Sequence, residues 1–298
     1  MTFSAWRDQI FQRAEAGEPR QALALLASPP PGLSPVQRGA ASFWAACLHA
    51  GLGEVEEALR ALEGVEARGD WLAPARLRHD ADLDALRNEE RFVRLLARWE
   101  ARRVEEQART RPQLRVFGAP ARPALIALHE NLSSADATQT LHSDLLAQGE
   151  RVALAQSGQL GGLGSYVWND AAQADREARA WAAELGGRPL WAGFSAGAQV
   201  ATRVVLTGQV PARGLLLVIP SLSAEPGWWP PALPALPVAL LLGEHDPLRS
   251  AALDFAARLR EAGVPTRVWT FPGGHAVPPG WPSLRDEARR WLEGYEQG

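Results

Sequence analysis

The 298-residue chain carries a formal net charge of −3 at neutral pH, 46% hydrophobic residues and one cysteine, Cys47. That balance leaves no electrostatic footprint for nucleic acid or an anionic membrane, and a lone cysteine excludes a disulfide framework or a cysteine-rich metal site. All 31 of the lysine-plus-arginine side chains are arginine, so Schiff-base lysine chemistry, a pyridoxal-phosphate anchor and a P-loop Gly-Lys-Ser/Thr are excluded as well. The opening "MTFSAWRDQIFQRAEAGEPR" interleaves charges every few residues and lacks the apolar core of a signal peptide. No apolar run reaches membrane-spanning length, and a soluble cytoplasmic protein is expected.

From residue 3 to about 110 the apolar residues recur at helical spacing, as in "SPVQRGAASFWAACLHAGLGEVEEALRALEGVEARG", with Gly51 and Gly53 breaking one helix from the next. The spacing predicts helical hairpins. The second helix of that stretch places Ala58, Leu59 and Leu62 on one face, and Glu54, Glu56 and Glu57 near its start suit the positive end of the helix dipole. "ARRVEEQARTRPQLR" is charged and poor in apolar residues, and reads as the end of a helix running into a linker. A smaller all-α domain over residues 1–110 is therefore predicted.

From residue 113 short β-rich runs alternate with amphipathic stretches. The strand candidates are "LRVFG", "ALIALH", "RVALAQ", "PLWAGF", "GLLLVIP", "VALLLGE" and "TRVWTF", with helix-like segments such as "DAAQADREARAWAAEL" and "AALDFAARLREAG" between several of them. Continuous apolar strands separated by helices predict an α/β domain over 111–298, its mostly parallel sheet covered on both faces. Ligands then bind at the carboxyl ends of the strands. Three residues there are candidates to carry chemistry, each with a structural alternative: a turn serine capping its helix, an N-cap aspartate and a surface loop histidine. Ser195 in "GFSAG" lies between a strand and a helix, where free N–H groups face a developing oxyanion. Asp246 in "LLGEHDPL" follows a strand and precedes Pro247. His275 follows another strand, in the glycine-containing loop "PGGHAVP". A serine hydroxyl needs a base to ionise at neutral pH, and the base needs an acid to fix its tautomer.

With these motifs in the order serine, acid, histidine, roughly residues 113–295 resemble the α/β-hydrolase superfamily, and within it the phospholipase/carboxylesterase-like predicted esterases; "LHEN" and "YVWND" are supporting matches. The resemblance implies Ser195 as nucleophile, His275 as general base and acid, and Asp246 as the orienting acid. It implies an oxyanion hole from the backbone of Ala196 and of Glu130 or Asn131, where this chain reads His129-Glu130-Asn131 in place of the family's His-Gly. A Glu130 carboxylate would oppose an oxyanion unless it points away. The stretch from Ala46 through Gly53 to Ala58 resembles a tetratricopeptide helix pair.

Tyr166, Trp168, Trp228 and Trp229 are candidates to line the substrate pocket, with ordinary packing as the alternative for each. "GQLGGLGSYVW" departs from Gly-x-Gly-x-x-Gly spacing and opens no immediate helix, and the six histidines show no His-Glu-x-x-His, so no nucleotide cofactor and no metal is expected. Two strands and a helix fill most of the interval between Ser195 and Asp246, leaving no space for a large lid. The expected activity is cofactor-free hydrolysis of a small-molecule carboxylic ester through an acyl-enzyme. A thioesterase or acyltransferase using the same three residues is an alternative. A catalytically weak scaffold is another, binding a protein partner through the N-terminal helices, with Glu130 as the feature that favours it.

Overall fold

The computed structural model describes residues 1–120 and 124–295. Its contacts divide the chain into two units, Met1–Arg109 with Leu160–Ser165, and Thr110–Gln159 with Tyr166–Gly298.

The first unit is built on helices α1 (Phe3–Glu15), α2 (Pro19–Leu26), α3 (Pro35–Gly51), α4 (Val55–Ala67), α5 (Pro74–His79) and α6 (Glu90–Gln107), with a 3₁₀ turn over Ala81–Leu86. Local sequence sets the ends. Ser34 and Gln37 close a capping box over α3, whose first residue is Pro35, so orphan N–H groups are satisfied and the pre-set proline φ starts the helix. Gly51 ends α3, and Gly53 adopts φ +76° in the turn to α4, a conformation that costs any residue with a Cβ. Trp6, Ile10 and Ala22 are buried in one cluster, and Leu59, Leu62, Phe92, Leu95 and Trp99 are also buried. Between α4 and α6, Arg91 pairs with Glu63 and Arg98 with Glu66 at 2.6–2.9 Å. Each such exposed pair contributes about 1 kcal/mol or less.

The second unit runs β1 (Gln113–Phe117), β2 (Leu125–Leu128), α7 (Ala135–Leu141), α8 (Ser143–Ala147) and β3 (Val152–Gln156). After β4 (Leu160–Gly162), which belongs to the first unit and pairs with β5 (Ser165–Tyr166), the second unit continues with α9 (Ala171–Leu185), β6 (Leu190–Phe194), α10 (Ala196–Leu206) and β7 (Gly214–Val218). It closes with β8 (Val238–Gly243), α11 (Arg249–Glu261), β9 (Thr266–Phe271) and α12 (Trp281–Tyr295). The seven-stranded sheet has the order β1-β3-β2-β6-β7-β8-β9; β1 is antiparallel to β3 and the remaining pairs are parallel. All seven strand candidates of the sequence lie in it. Strands β2, β3, β6, β7 and β8 are buried along their whole length, as their unbroken apolar runs require when both faces are covered.

Alternate residues of these strands feed two cores. Ile126, Trp191, Leu215 and Leu240 pack with Trp181 of α9, Val200 of α10 and Phe255 of α11. Leu125, Leu190, Leu216 and Leu241 pack with Ala135 of α7, Leu145 of α8, and Ala288 and Leu292 of α12. The expected architecture, a mostly parallel sheet covered by helices with an all-α region before it, is the one observed. No helix among the described residues is long and apolar enough to cross a membrane.

Candidate active site

Because β2 and β6 to β9 run parallel, their carboxyl ends share one edge of the sheet, and Ser195, Asp246 and His275 follow β6, β8 and β9 there. Ser195 occupies a sharp turn with φ +49° and ψ −114°, a region that an L-residue enters only under constraint. The constraint is visible. Ser195 N–H donates to Val218 O at 3.0 Å, and Ser195 O accepts from Ser221 N–H at 3.2 Å, tying both sides of the turn to the end of β7 and the loop after it. Glycine makes room for the turn: a Cβ on Gly193 would lie 2.5 Å from Ala198 N, and one on Gly197 only 2.3 Å from His129 O. The first turn of α10 therefore packs directly against the backbone leaving β2.

Strand spacing of about 4.8 Å puts the strand before His275 about 14 Å from the one before Ser195, so the side chains meet only because the histidine loop folds back over β8. His245 N–H donates to Gly273 O at 2.9 Å, and a Cβ on Gly243 would lie 2.3 Å from Gly274 O. The result is a chain of hydrogen bonds. His275 Nε2 lies 2.8 Å from Ser195 Oγ, and His275 Nδ1 lies 2.8 Å from Asp246 Oδ2. The Asp246 side chain is 2% exposed and that of His275 31%; Asp246 Oδ1 accepts a second hydrogen bond, 2.8 Å, from Leu248 N–H. A buried carboxylate with both oxygens engaged thus holds an imidazole that reaches outward to a hydroxyl.

The loop after β2 has its own anchor. His129 is 1% exposed; its Nε2 accepts from Ser157 N–H at 3.2 Å and its Nδ1 donates to Glu130 O at 2.6 Å. One acceptor and one donor fix a neutral ring, and burial pushes its pKa down to about 4. The imidazole is a poor base here. Its effect is on the loop: with Glu130 C=O aimed at the ring, the N–H of the trans Glu130–Asn131 peptide points to the opposite side. Trp168 N–H donates to Asn131 Oδ1 at 2.8 Å, the Trp168 indole donates to His129 O at 2.8 Å and stacks on the His129 ring, and Leu132 N–H donates to Tyr166 O at 2.7 Å.

Tyr166 is thereby joined to this loop through its backbone. Trp168 is 6% exposed within the core, so its ring serves packing. Trp228 and Trp229 stand against Phe255, with ring centroids 6.3 and 5.6 Å away, and Arg258 lies 4.4 Å over the Trp229 ring; both rings are held on α11. That the His129 ring orients the Glu130 carbonyl is not legible in the sequence, because the ring is set by Ser157, 28 residues away.

One group among the described residues, Cys47, Asp80 and Asp82, brings three possible metal donors within 4.8 Å of one another. Burial holds the Cys47 thiol up at about 12, so the thiolate that a metal needs is costly to form.

Three solved structures are similar to this chain in architecture. An uncharacterized protein from Bacillus cereus ATCC 10987 is 19% identical across 98% of this chain and all of that one, with a TM-score of 0.50. A Bacillus cereus carboxylesterase is 16% identical across 64% of this chain and 98% of its own, with a TM-score of 0.51. The esterase PE8 is 18% identical across 61% and 98%, with a TM-score of 0.52. No protein-family model matches the sequence, and no curated protein is similar to it. Likeness at this level of identity speaks to architecture.

Proposed function

From an α/β-hydrolase fold, we propose that the chain is a serine hydrolase that cleaves carboxylic esters through an acyl-enzyme. The observation that carries the reading is the unbroken hydrogen-bond chain from Ser195 through His275 to the buried Asp246.

Ser195 Oγ attacks the ester carbonyl while its proton passes to His275 Nε2; the Asp246 carboxylate stabilises the imidazolium across the Nδ1 hydrogen bond and keeps the ring oriented. The carbonyl oxygen becomes an oxyanion. Ala196, first residue of α10, has an N–H with no acceptor inside the helix, and the Asn131 N–H turned away from His129 is the second donor we assign. The imidazolium returns the proton to the leaving alkoxide, which departs as the alcohol and leaves the acyl group on Ser195. Water then enters, His275 takes its proton, and collapse of the second tetrahedral species releases the carboxylic acid and regenerates Ser195. Each oxyanion donor contributes about 10²- to 10³-fold in rate.

A fluorophosphonate probe, which reacts only with an activated serine, tests this. The wild type is expected to be labelled, and Ser195→Ala to lose the label together with about 10⁴-fold or more of turnover on p-nitrophenyl esters, with its melting behaviour retained. An unlabelled, folded wild type overturns the proposal. Running a thioester and an alcohol acceptor beside the esters separates the hydrolase from a thioesterase or acyltransferase.

A further inference from the structure

The helical unit contains a cavity of about 650 Å³ between α2 and the α3–α4 hairpin, within the usual range for small-molecule sites. Helix α3 lines it with Arg38, Ala41, Ser42, Ala45 and His49, positions three and four apart that form one face about 16 Å long. Leu23 and Ala24 of α2 and Ala61 of α4 complete an apolar middle, and the small side chains create the hollow. The lining residues include three arginines and no acid, in a chain whose net charge is negative.

The two ends differ in charge. At one, Arg38 Nη2 and Arg68 Nε lie 3.6 and 3.9 Å from the same Asp70 oxygen, so two guanidinium groups share one carboxylate and one positive charge is uncompensated. Both arginines are held in place, Arg38 by Leu33 O at 2.8 Å and Arg68 by Ser42 Oγ at 3.0 Å, and both side chains are about 40% exposed. At the other end Glu54 pairs with Arg20 and accepts from His49 Nδ1 at 2.7 Å, which balances the charge. A groove with an apolar middle, one cationic end and one neutral end matches an anionic head on an apolar tail.

We infer that this groove binds an alkyl carboxylate, its chain along Ala24, Ala41, Ala45 and Ala61 and its head at Arg38 and Arg68. An extended peptide would bring backbone N–H groups that need acceptors. The Ser42 hydroxyl already accepts from Arg68 and the His49 ring is engaged by Glu54; an alkyl chain needs no acceptors. The site makes no use of Ser195, so it stands or falls independently of the hydrolase reading.

Isothermal titration of the full chain with dodecanoate, below its micellar concentration, tests the inference. One saturable site is expected, weakened about tenfold or more in Arg68→Gln, weakened by added salt, and abolished by Ala45→Phe, which fills the hollow. Octanoate and dodecanol bind more weakly, the first lacking four methylenes and the second the charge. Ser195→Ala binds as the wild type does. Far-UV circular dichroism checks that both groove variants are folded, and either one suffices. No saturable binding, or binding indifferent to both substitutions, overturns the assignment, as does tight binding of an acidic amphipathic peptide with none of dodecanoate.

Discussion

Two buried histidines outside the proposed proton relay make the stability of this protein depend on pH. His142 is 0% exposed, its Nδ1 donates to Thr138 O at 2.9 Å, and Phe194 and Trp281 meet its ring edge to face. Burial pushes its pKa down to about 4, as it does for His129. A histidine released by unfolding protonates near 6.5. Between about pH 6.5 and 4 the unfolded chain therefore binds protons that the folded chain refuses, so stability falls as the pH falls through that window, by about 3 kcal/mol for each ring. Urea unfolding followed from pH 7 to pH 4.5 is expected to show this decline, and His142→Asn, whose amide keeps a donor toward Thr138 O, to make the slope shallower. In the proposed relay, Asp246→Asn leaves the shape intact but favours the wrong tautomer of His275, and steady-state ester hydrolysis is expected to drop about 10⁴-fold with little change in melting temperature. His129→Ala differs from both. Losing the ring frees the Glu130 carbonyl, so kcat is expected to fall about 10²-fold with KM nearly unchanged, whereas a purely structural loss would lower the active fraction and leave the kcat of the folded enzyme alone.

At the scale of elements, the meeting of α10 with the end of β2 is a close approach of backbone to backbone beside the proposed nucleophile. Gly197→Ala forces a Cβ to 2.3 Å from His129 O, backbone against backbone, which no side-chain rotation relieves. Differential scanning calorimetry is expected to register a loss of about 1–3 kcal/mol, as for other overpacked positions, together with lower ester turnover. The sheet strands were legible because burial on both faces demands unbroken apolar runs, and Ser195, Asp246 and His275 were legible because each directly follows such a run. The pairing of β4 with β5 was not. "GQLGGLGSY" has too few side chains to show an alternating pattern, so backbone pairing there leaves no period to read. The antiparallel direction of β1 was equally hidden, since residue pattern reports which face is buried and says nothing about which way a neighbour runs.

For the whole molecule, the division into units departs from a cut at one point in the sequence. Leu160–Ser165 lies between β3 and α9 in the chain yet belongs with the helices: Leu160 N–H donates to Gln107 Oε1 at 2.6 Å, and a Cβ on Gly162 would sit 2.9 Å from Ala73 N. Composition changes near residue 110 and shows the main transition, but six residues returning to the first unit are invisible to any local measure. A chain beginning at Thr110 would leave Leu160, 5% exposed in the intact protein, without its cover. It is expected to melt roughly 4–8 °C below the second-unit transition of the full chain, the cost of about 2 kcal/mol of lost burial.

The backbone of Ser195 has a bearing on how this protein could be engineered. A residue held at φ +49° and ψ −114° works against the fold by about 1–3 kcal/mol, and glycine at the same position would sit there at ease. Ser195→Gly is therefore expected to raise the melting temperature while leaving no hydroxyl to acylate. A library screened for heat resistance alone would drift toward that substitution, so only a selection that scores turnover in the same round would keep the serine.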